Sequence, residues 1–126
     1  MAMYAEKFTD DTLASLFPVD RTDQFFEALF GEAEEGSYDI ALRYRDDDGE
    51  TLNFELELIQ RPGKCLACNL TYGLPTVFSR HPIINLPGLA EDAASVIGRN
   101  VASWSVGNTR ELNNKLHAIP LMVELA

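Results

Sequence analysis

Two stretches in the middle of the chain alternate between apolar and polar side chains. The first, residues 38–45, has the sequence YDIALRYR, and the second, residues 51–58, has the sequence TLNFELEL. In both stretches the even-numbered positions are apolar. Because successive side chains of a strand point to opposite faces, this period predicts two strands of a sheet with one apolar face and one solvent-facing face.

The acidic run between the two stretches predicts a hairpin. Matching the apolar faces requires a three-residue loop from Asp47 to Gly49, with Gly49 in the left-handed conformation. Arg43 and Glu55 then lie near each other on the polar face. The register that follows from this loop pairs Tyr44 with Leu52, Leu42 with Phe54, and Ile40 with Leu56.

A third strand is predicted for residues 64–72, which have the sequence KCLACNLTY. When its apolar positions are matched to those of the second strand, Leu66 lies opposite Leu58 and Cys68 lies opposite Leu56. Cys65 and Cys68 are three positions apart, so on a strand their sulfur atoms point to opposite faces. This geometry argues against a shared zinc ion or a redox pair, and we expect no bound metal and no cofactor.

Two helices are predicted before the strands. Thr9 is a suitable cap for a helix over residues 10–17, which Pro18 would end. Asp20 or Thr22 is a suitable cap for a second helix, and Gly31 for its end. The spacing of three and four that is typical of one helical face recurs in the second helix at Phe25, Phe26, Leu29 and Phe30.

The segment 73–88 contains three prolines, which exclude long strands, yet it is too apolar for a free loop. We expect a partly buried crossing segment with a short strand near residues 76–80. A helix over residues 89–99 follows, and then a strand in which Ala102, Trp104 and Val106 share a side.

The pattern of residues 110–116 fits a strand or one helical turn. The last predicted strand covers residues 116–125 and contains Pro120. Because proline has no N–H to donate, we expect this strand at the edge of the sheet or with a bulge.

Together these elements predict one α+β domain over residues 1–126. Its order is two helices, three strands, a crossing segment, one helix and two strands. We expect an antiparallel sheet of about five strands with the helices packed on one face.

The net charge of −10 is unevenly distributed. Residues 1–60 contain 16 acidic and 4 basic side chains, whereas residues 61–126 contain 4 acidic and 6 basic ones. An acidic chain repels phosphate, so we expect no nucleic-acid partner and no binding to anionic membranes. The acidity fits a solvated surface that keeps the protein soluble. It also fits an acidic face that attracts a basic partner, or one that meets the less acidic half of a second copy.

The N-terminus has no basic start followed by an apolar core, and no stretch approaches the length of a membrane span. We therefore expect a cytoplasmic protein. Residues 46–50 resemble the opening of a calcium-binding loop, but the strand that begins at Thr51 excludes the bidentate glutamate of an EF-hand. A hairpin tip is the interpretation that fits this run.

The side chains with the best potential for ligand binding lie in and around segment 73–88. Arg80 and His81 are adjacent there, and an arginine beside a histidine is suited to binding an anion. No arrangement of nucleophile, base and orienting acid is visible, so we name no catalytic residue and favour a protein that is not an enzyme. The candidate ligand-binding residues are Tyr72, Phe78, Arg80, His81, Trp104 and His117.

Two functions are compatible with these observations. The first is a non-enzymatic protein-interaction module of a small acidic bacterial type, which binds another protein or itself as a homodimer. The second is a small-ligand binding domain, or a minor enzyme, with a pocket between segment 73–88 and the sheet.

The predicted order of elements and the acidity resemble those of the small acidic chaperones of type III secretion and the related YbjN-like domains. These families also place a helix before three strands, followed by a helix and further strands. The final helix of those families is not among the elements predicted here. The resemblance carries no motif, so it implies no site residue and no particular partner.

Overall fold

The computed structural model describes residues 4–18, 20–31, 38–63 and 74–126. Helices and an antiparallel five-stranded sheet make up this part of the chain, which confirms the predicted α+β fold. A 3₁₀ turn at Ala5–Lys7 comes first. The elements that follow are α1 (Asp10–Leu16), α2 (Asp20–Phe30), β1 (Tyr38–Asp47), β2 (Thr51–Gln60), α3 (Leu74–Arg80), α4 (Leu86–Val96), β3 (Val101–Val106), β4 (Arg110–Asn113) and β5 (Leu116–Leu125).

The first helix begins where the sequence predicts. The hydroxyl oxygen of Thr9 accepts a hydrogen bond from the backbone N–H of Thr12 at 3.2 Å, which satisfies one of the free donors of the first turn. The helix ends at Leu16, one residue before the predicted end. Phe17 follows it and is buried in the core.

The second helix has Asp20 as its first residue and Thr22 in its first turn, so neither of the two predicted residues is its cap. Phe25 and Phe26 are buried, as the helical spacing predicts. Leu29 and Phe30, the other two positions of that face, lie outside the described side chains. Gly31 has a φ of 85° directly after the helix, which confirms its predicted role as the C-terminal stop.

The order of the strands differs from the predicted meander. The sheet has the order β1-β2-β5-β3, and β4 also pairs with β5. Both edges of β2 are therefore occupied by β1 and β5. Leu58 lies opposite His117 and Leu56 opposite Ile119, so the predicted pairing of β2 with residues 64–72 is wrong. The segment itself, with its two cysteines, lies outside the described residues.

The β1–β2 hairpin matches its apolar faces, but its register is shifted by two residues. Ile40 lies opposite Leu58 and Tyr44 opposite Phe54, after which the register shifts again between Tyr44 and Asp46. This bulge adds one residue, Arg45, to β1. The loop has the predicted three residues, but they are 48–50. Gly49 has the predicted positive φ, 88°.

The bulge has a structural consequence, because it turns the side chain of Asp47 inward. The Asp47 carboxylate is buried and accepts hydrogen bonds from the backbone N–H of Tyr4 at 2.9 Å and of Gly49 at 3.0 Å. It also accepts one from the hydroxyl of Tyr44. A buried carboxylate requires such partners. The sequence pattern alone does not reveal them, because Tyr4 is 43 residues away.

The crossing segment contains a helix where a short strand was predicted at residues 76–80. Pro75 is the second residue of α3, in the first turn, where a missing N–H costs nothing. The next helix runs from Leu86 to Val96 and not over residues 89–99. Its first turn is capped by Asn85, whose side-chain oxygen accepts from the N–H of Gly88 at 3.3 Å.

Pro120 lies in a central strand, contrary to the expectation of an edge or a bulge. Its carbonyl oxygen accepts from the N–H of Gly107 at 2.9 Å, so its nitrogen points toward the β3 and β4 side of β5. Residues 107–109, which separate β3 from β4, interrupt the neighbouring strand there. The sheet therefore tolerates Pro120, because no regular strand lies opposite its nitrogen to accept the hydrogen bond that proline cannot donate. Residues 110–113 of the ambiguous segment form β4.

One contiguous core lies between the helices and one face of the sheet. The even positions of β1 and β2 and the odd positions of β5 supply the sheet side. The helical side includes Leu13, Phe25, Phe78 and Leu89. Side chains of the core that are almost completely buried include Leu52, Phe54, Leu56, Leu58, Ile84, Leu86, Ile119 and Leu121.

Thr22 joins α2 to the outer edge of the sheet. It is buried, and its hydroxyl oxygen accepts from the N–H of Ile40 at 3.1 Å. Replacing Thr22 by valine keeps the shape and removes the acceptor. We expect Thr22→Val to lower the free energy of unfolding by about 1–3 kcal/mol in urea denaturation, because a buried N–H is left without a partner.

Thr22→Ser is the matched control, since it retains the hydroxyl group and loses one methyl group. The amide of Ile40 should exchange its hydrogen faster in Thr22→Val than in Thr22→Ser. Equal exchange rates in the two variants would contradict the role of this hydrogen bond.

Candidate functional site

The structure separates the residues that the sequence analysis proposed for ligand binding. Phe78 is fully buried in the core, and Arg80 is exposed at the end of α3. His81 is half-buried with its ring centroid 4.8 Å from that of Phe25. Its Nδ1 accepts from the backbone N–H of Ile83 at 3.2 Å. The contacts of this histidine are those of a side chain that orders the turn between α3 and α4.

Trp104 and His117 lie at different levels of the sheet. Trp104 is half-buried opposite Val123, and His117 is buried opposite Leu58. Six residues of β5 separate the two levels, which corresponds to roughly 20 Å. The pockets described below are lined by other residues, and Tyr72 lies outside the described part of the chain. Ligand binding by this set stays a prediction.

The outer face of the sheet, which we define as the face that points away from the core, carries paired charges. Nε of Arg43 lies 2.8 Å from a carboxylate oxygen of Glu57, and Arg45 forms an ion pair with Glu55. The Cα of Arg43 lies opposite that of Glu55, as the sequence predicts. The guanidinium of Arg43, however, binds the carboxylate of Glu57, two residues further along β2. Because Arg43 is half exposed, its ion pair stabilises the fold by no more than about 1 kcal/mol.

A shallow pocket of about 210 Å³ lies on this outer face. Two of its groups, Arg45 and Glu55, neutralise each other, and Asn53 donates to Asp46 at 2.8 Å. Arg110 also lines it and makes no ion pair with the described residues. One available guanidinium is too little to orient a small ligand, which normally meets several converging polar groups.

The acidic tip of the β1–β2 hairpin is used for local structure. The Asp48 carboxylate accepts from the backbone N–H groups of Glu50 at 2.9 Å and Thr51 at 2.7 Å. These bonds favour the charged form and lower the pKa of Asp48 below its usual range. Within the described residues, no cluster of three or more metal-binding side chains occurs. The tip is a hairpin turn, as the sequence indicates.

Two tyrosines of β1 are held in the neutral form. Burial raises the pKa of Tyr38, although the nearby Arg61 acts in the opposite direction. Burial also raises the pKa of Tyr44, and the hydrogen bond to Asp47 adds to the effect. Neither group is therefore available as a base near neutral pH.

The remaining candidates are the two outer edges of the sheet, at β1 and at β3. Among the described strands, β1 pairs only with β2, and β3 pairs only with β5. An unpaired strand edge presents backbone N–H and C=O groups that another chain can pair with. The predicted chain order also leaves β1 at an edge, but it does not place β3 at the other one. The uncharged sequence VASWSV of β3 is the signal that would have drawn attention to one of them.

Comparisons with models of protein families, with curated proteins and with solved structures find no match to this chain. Each helix in the described part of the chain is too short or too polar to cross a bilayer.

The lowered pKa of Asp48 predicts a pH-dependent contribution to stability. Its folded-state pKa lies below the unfolded value, so the stabilisation is complete above the unfolded pKa and is lost as the pH falls through the folded pKa. We expect Asp48→Asn to unfold at a lower urea concentration than the wild type at pH 7. The difference should disappear at a pH low enough to protonate Asp48 in the folded state, where both turns are neutral.

Asp92→Asn, on the exposed side of α4, is the control for a general effect of removing one negative charge. A difference between wild type and Asp48→Asn that is the same at both pH values would show that the charge of Asp48 does not stabilise the turn.

Proposed function

We propose that this protein is a non-enzymatic protein-interaction module that pairs with a second copy of itself through the outer edge of β3. The observation that carries the proposal is the composition of this edge. All six residues of β3 are uncharged in a chain with a net charge of −10. Natural edge strands are commonly protected from other chains by charged side chains or by a covering element.

The directions of the backbone groups support pairing at this edge. The N–H of Gly107 donates inward to Pro120 of β5. Because the groups of an antiparallel strand alternate in direction, Val106 and Trp104 direct their N–H and C=O outward. No bond from either of these groups is found in the described part of the chain.

The side chains support a symmetric pairing. Trp104 and Val106 are half-buried against the core, and Ser103 and Ser105 are exposed on the other face. When two antiparallel copies meet near Ser105, Trp104 of each copy lies opposite Val106 of the other, and no like charges face each other.

The other edge shows the protection that β3 lacks. Along β1 the outer-face positions include Asp39, Arg43 and Arg45, and Thr22 covers the N–H of Ile40. Among the described residues, the edge of β3 has one protective feature, the bulge at Ala102, which limits the regular part to Ser103–Val106. Such a short pairing buries less than the ~1,600 Å² of a standard interface. We therefore expect a dimer that dissociates on dilution, with a dissociation constant of the order of micromolar.

Light scattering after size exclusion tests this proposal. The wild type should approach twice 14.0 kDa at high concentration and 14.0 kDa on dilution. In Val106→Pro the outward N–H is lost while the inward bonds to β5 remain, because proline is tolerated where the N–H faces away from the partner strand. We expect this variant to be a monomer at every concentration, with an unchanged circular dichroism spectrum.

The control is Val106→Thr, which keeps both the N–H and the branched shape and should dimerise as the wild type does. A wild type that stays at 14.0 kDa at high concentration contradicts dimerisation. A dimer that persists in folded Val106→Pro contradicts the use of this edge. The emission of Trp104, the single tryptophan, gives a second measurement, since it should shift to shorter wavelength as the dimer forms.

A further inference from the structure

A groove runs between helix α1 and the outer edge of β1. It has a volume of about 190 Å³ and is lined on the helix side by Asp10, Leu13, Ala14 and Phe17. On the strand side it is lined by the consecutive residues 40–43. Consecutive strand residues point to opposite faces, so all of them line one cavity only where the cavity follows the edge of the sheet. We call this cavity the β1–α1 groove.

Part of the backbone of β1 faces the β1–α1 groove. The N–H of Ile40 points away from β2, since it donates to the hydroxyl of Thr22. Leu42 is two residues further along and has its N–H and C=O on the same side. No described strand pairs with this side of β1. Because Thr22 already accepts from the N–H of Ile40, an extended chain laid in the groove meets the outward N–H and C=O of Leu42 on one flank and helix α1 on the other.

The charges around the groove select for a basic partner. Asp10 lines the groove, and Asp20 lines a second pocket of about 350 Å³ on the other side of Ile40 and Ala41. Neither aspartate forms an ion pair with the described residues. Ile59 lies in the second pocket and is 37 % exposed, so aliphatic surface is available beside these carboxylates.

The nearby cations are already engaged. Arg43 is paired with Glu57, and the guanidinium of Arg21 lies 4.9 Å from the centroid of the Phe17 ring. Arg61 is held by Asp23 at 2.8 Å and by Asp39 at 3.0 Å. The free charges that an incoming chain meets are therefore negative.

We propose that the β1–α1 groove binds an extended segment of a partner protein in which lysine or arginine alternates with aliphatic residues. The segment adds to β1 as a further antiparallel strand. Its aliphatic side chains pack against the exposed Ala14 and the small accessible parts of Leu13 and Phe17, and its basic side chains reach Asp10 and Asp20. Backbone pairing supplies affinity, and the alternating side chains supply specificity. This site uses the opposite edge of the sheet from the proposed dimer and does not depend on it.

The test is a titration followed by fluorescence anisotropy. The probe is the fluorescein-labelled peptide KVKVKVK with an amidated C-terminus, and the comparison peptide is EVEVEVE. The basic peptide should bind and the acidic one should not. A third peptide, identical to the basic one but N-methylated at alternate residues, cannot donate along one edge. We expect it to lose most of the affinity.

Variants of the protein locate the site. Ala14→Trp fills the groove and should abolish binding, whereas Ala28→Trp, an exposed alanine on α2, should leave it unchanged. The double variant Asp10→Asn/Asp20→Asn removes two exposed charges and should weaken binding about fivefold. The control Glu91→Gln/Asp92→Asn removes the same charge from the exposed side of α4 and should have a much smaller effect.

Equal binding of the basic and N-methylated peptides, or retained binding in folded Ala14→Trp, would overturn the proposal and show charge attraction without strand addition. Absence of binding by the basic peptide would overturn it as well. The Val106→Pro variant separates the two proposals, because it should bind the peptide as the wild type does even though it is monomeric.

Discussion

The structure depends on the burial of one face of a twisted antiparallel sheet. Strands β1, β2 and β5 supply a continuous apolar surface to this face, and Leu52, Leu56 and Ile119 at its centre are fully buried. Burial of each such side chain contributes about 1.5–3 kcal/mol relative to exposure. Any shift of one residue between strands would turn this surface toward water, so the alternation fixes which positions face the helices.

An open sheet has two edge strands whose outer backbone groups are not paired within the sheet, and these groups can pair with other chains unless they are protected. The edge at β1 is well protected. Thr22 accepts from the outward N–H of Ile40, charged residues lie on the outer face, and Arg61 forms ion pairs with Asp39 of β1 and Asp23 of α2. At β3 the described residues show little protection, since the strand is uncharged and the bulge at Ala102 is the one irregularity in its pairing with β5. The proposed self-pairing uses the less protected edge, β3, whereas the proposed peptide site uses the outer side of β1 at Leu42, which no described strand pairs with.

Contacts between distant parts of the chain hold the hairpin end of the sheet. Arg99 donates to the hydroxyl of Tyr4 and to the backbone carbonyls of Gly49 and Ala126, at 3.1–3.2 Å. Tyr4 in turn donates its N–H to Asp47. These bonds join the first described turn, the hairpin and the last strand, and they explain why an inward-pointing aspartate is accepted next to the core.

The sequence predicted what depends on local pattern. The cap of α1, the end of α2 at Gly31, the apolar faces of β1 and β2, the positive φ of Gly49 and the bounds of β5 are all encoded within a few residues. Which strands lie next to each other is not encoded locally, because the apolar face of β2 matches that of β5 as well as that of any other alternating segment. Which of these segments pairs with β2 is decided by the packing of the complete core.

The candidate sites were missed for the same reason. An edge is defined by which strands are absent from one side, so it appears only when the order β1-β2-β5-β3 is known. The bulge at Arg45 was missed because the contacts that hold the inward-turned Asp47 include a residue near the N-terminus. Single histidines, arginines and aromatic residues attracted attention in the sequence, and the fold distributes them over the core and separate surfaces.

Hydrogen exchange at two neighbouring amides of β3 tests the central claim most directly. The N–H of Ser105 points toward β5, and that of Trp104 points outward. If the edge of β3 pairs with a second copy, Trp104 should be protected at high protein concentration and exchange rapidly on dilution, while Ser105 stays protected throughout. Rapid exchange of Trp104 at every concentration, beside a protected Ser105, would contradict the account.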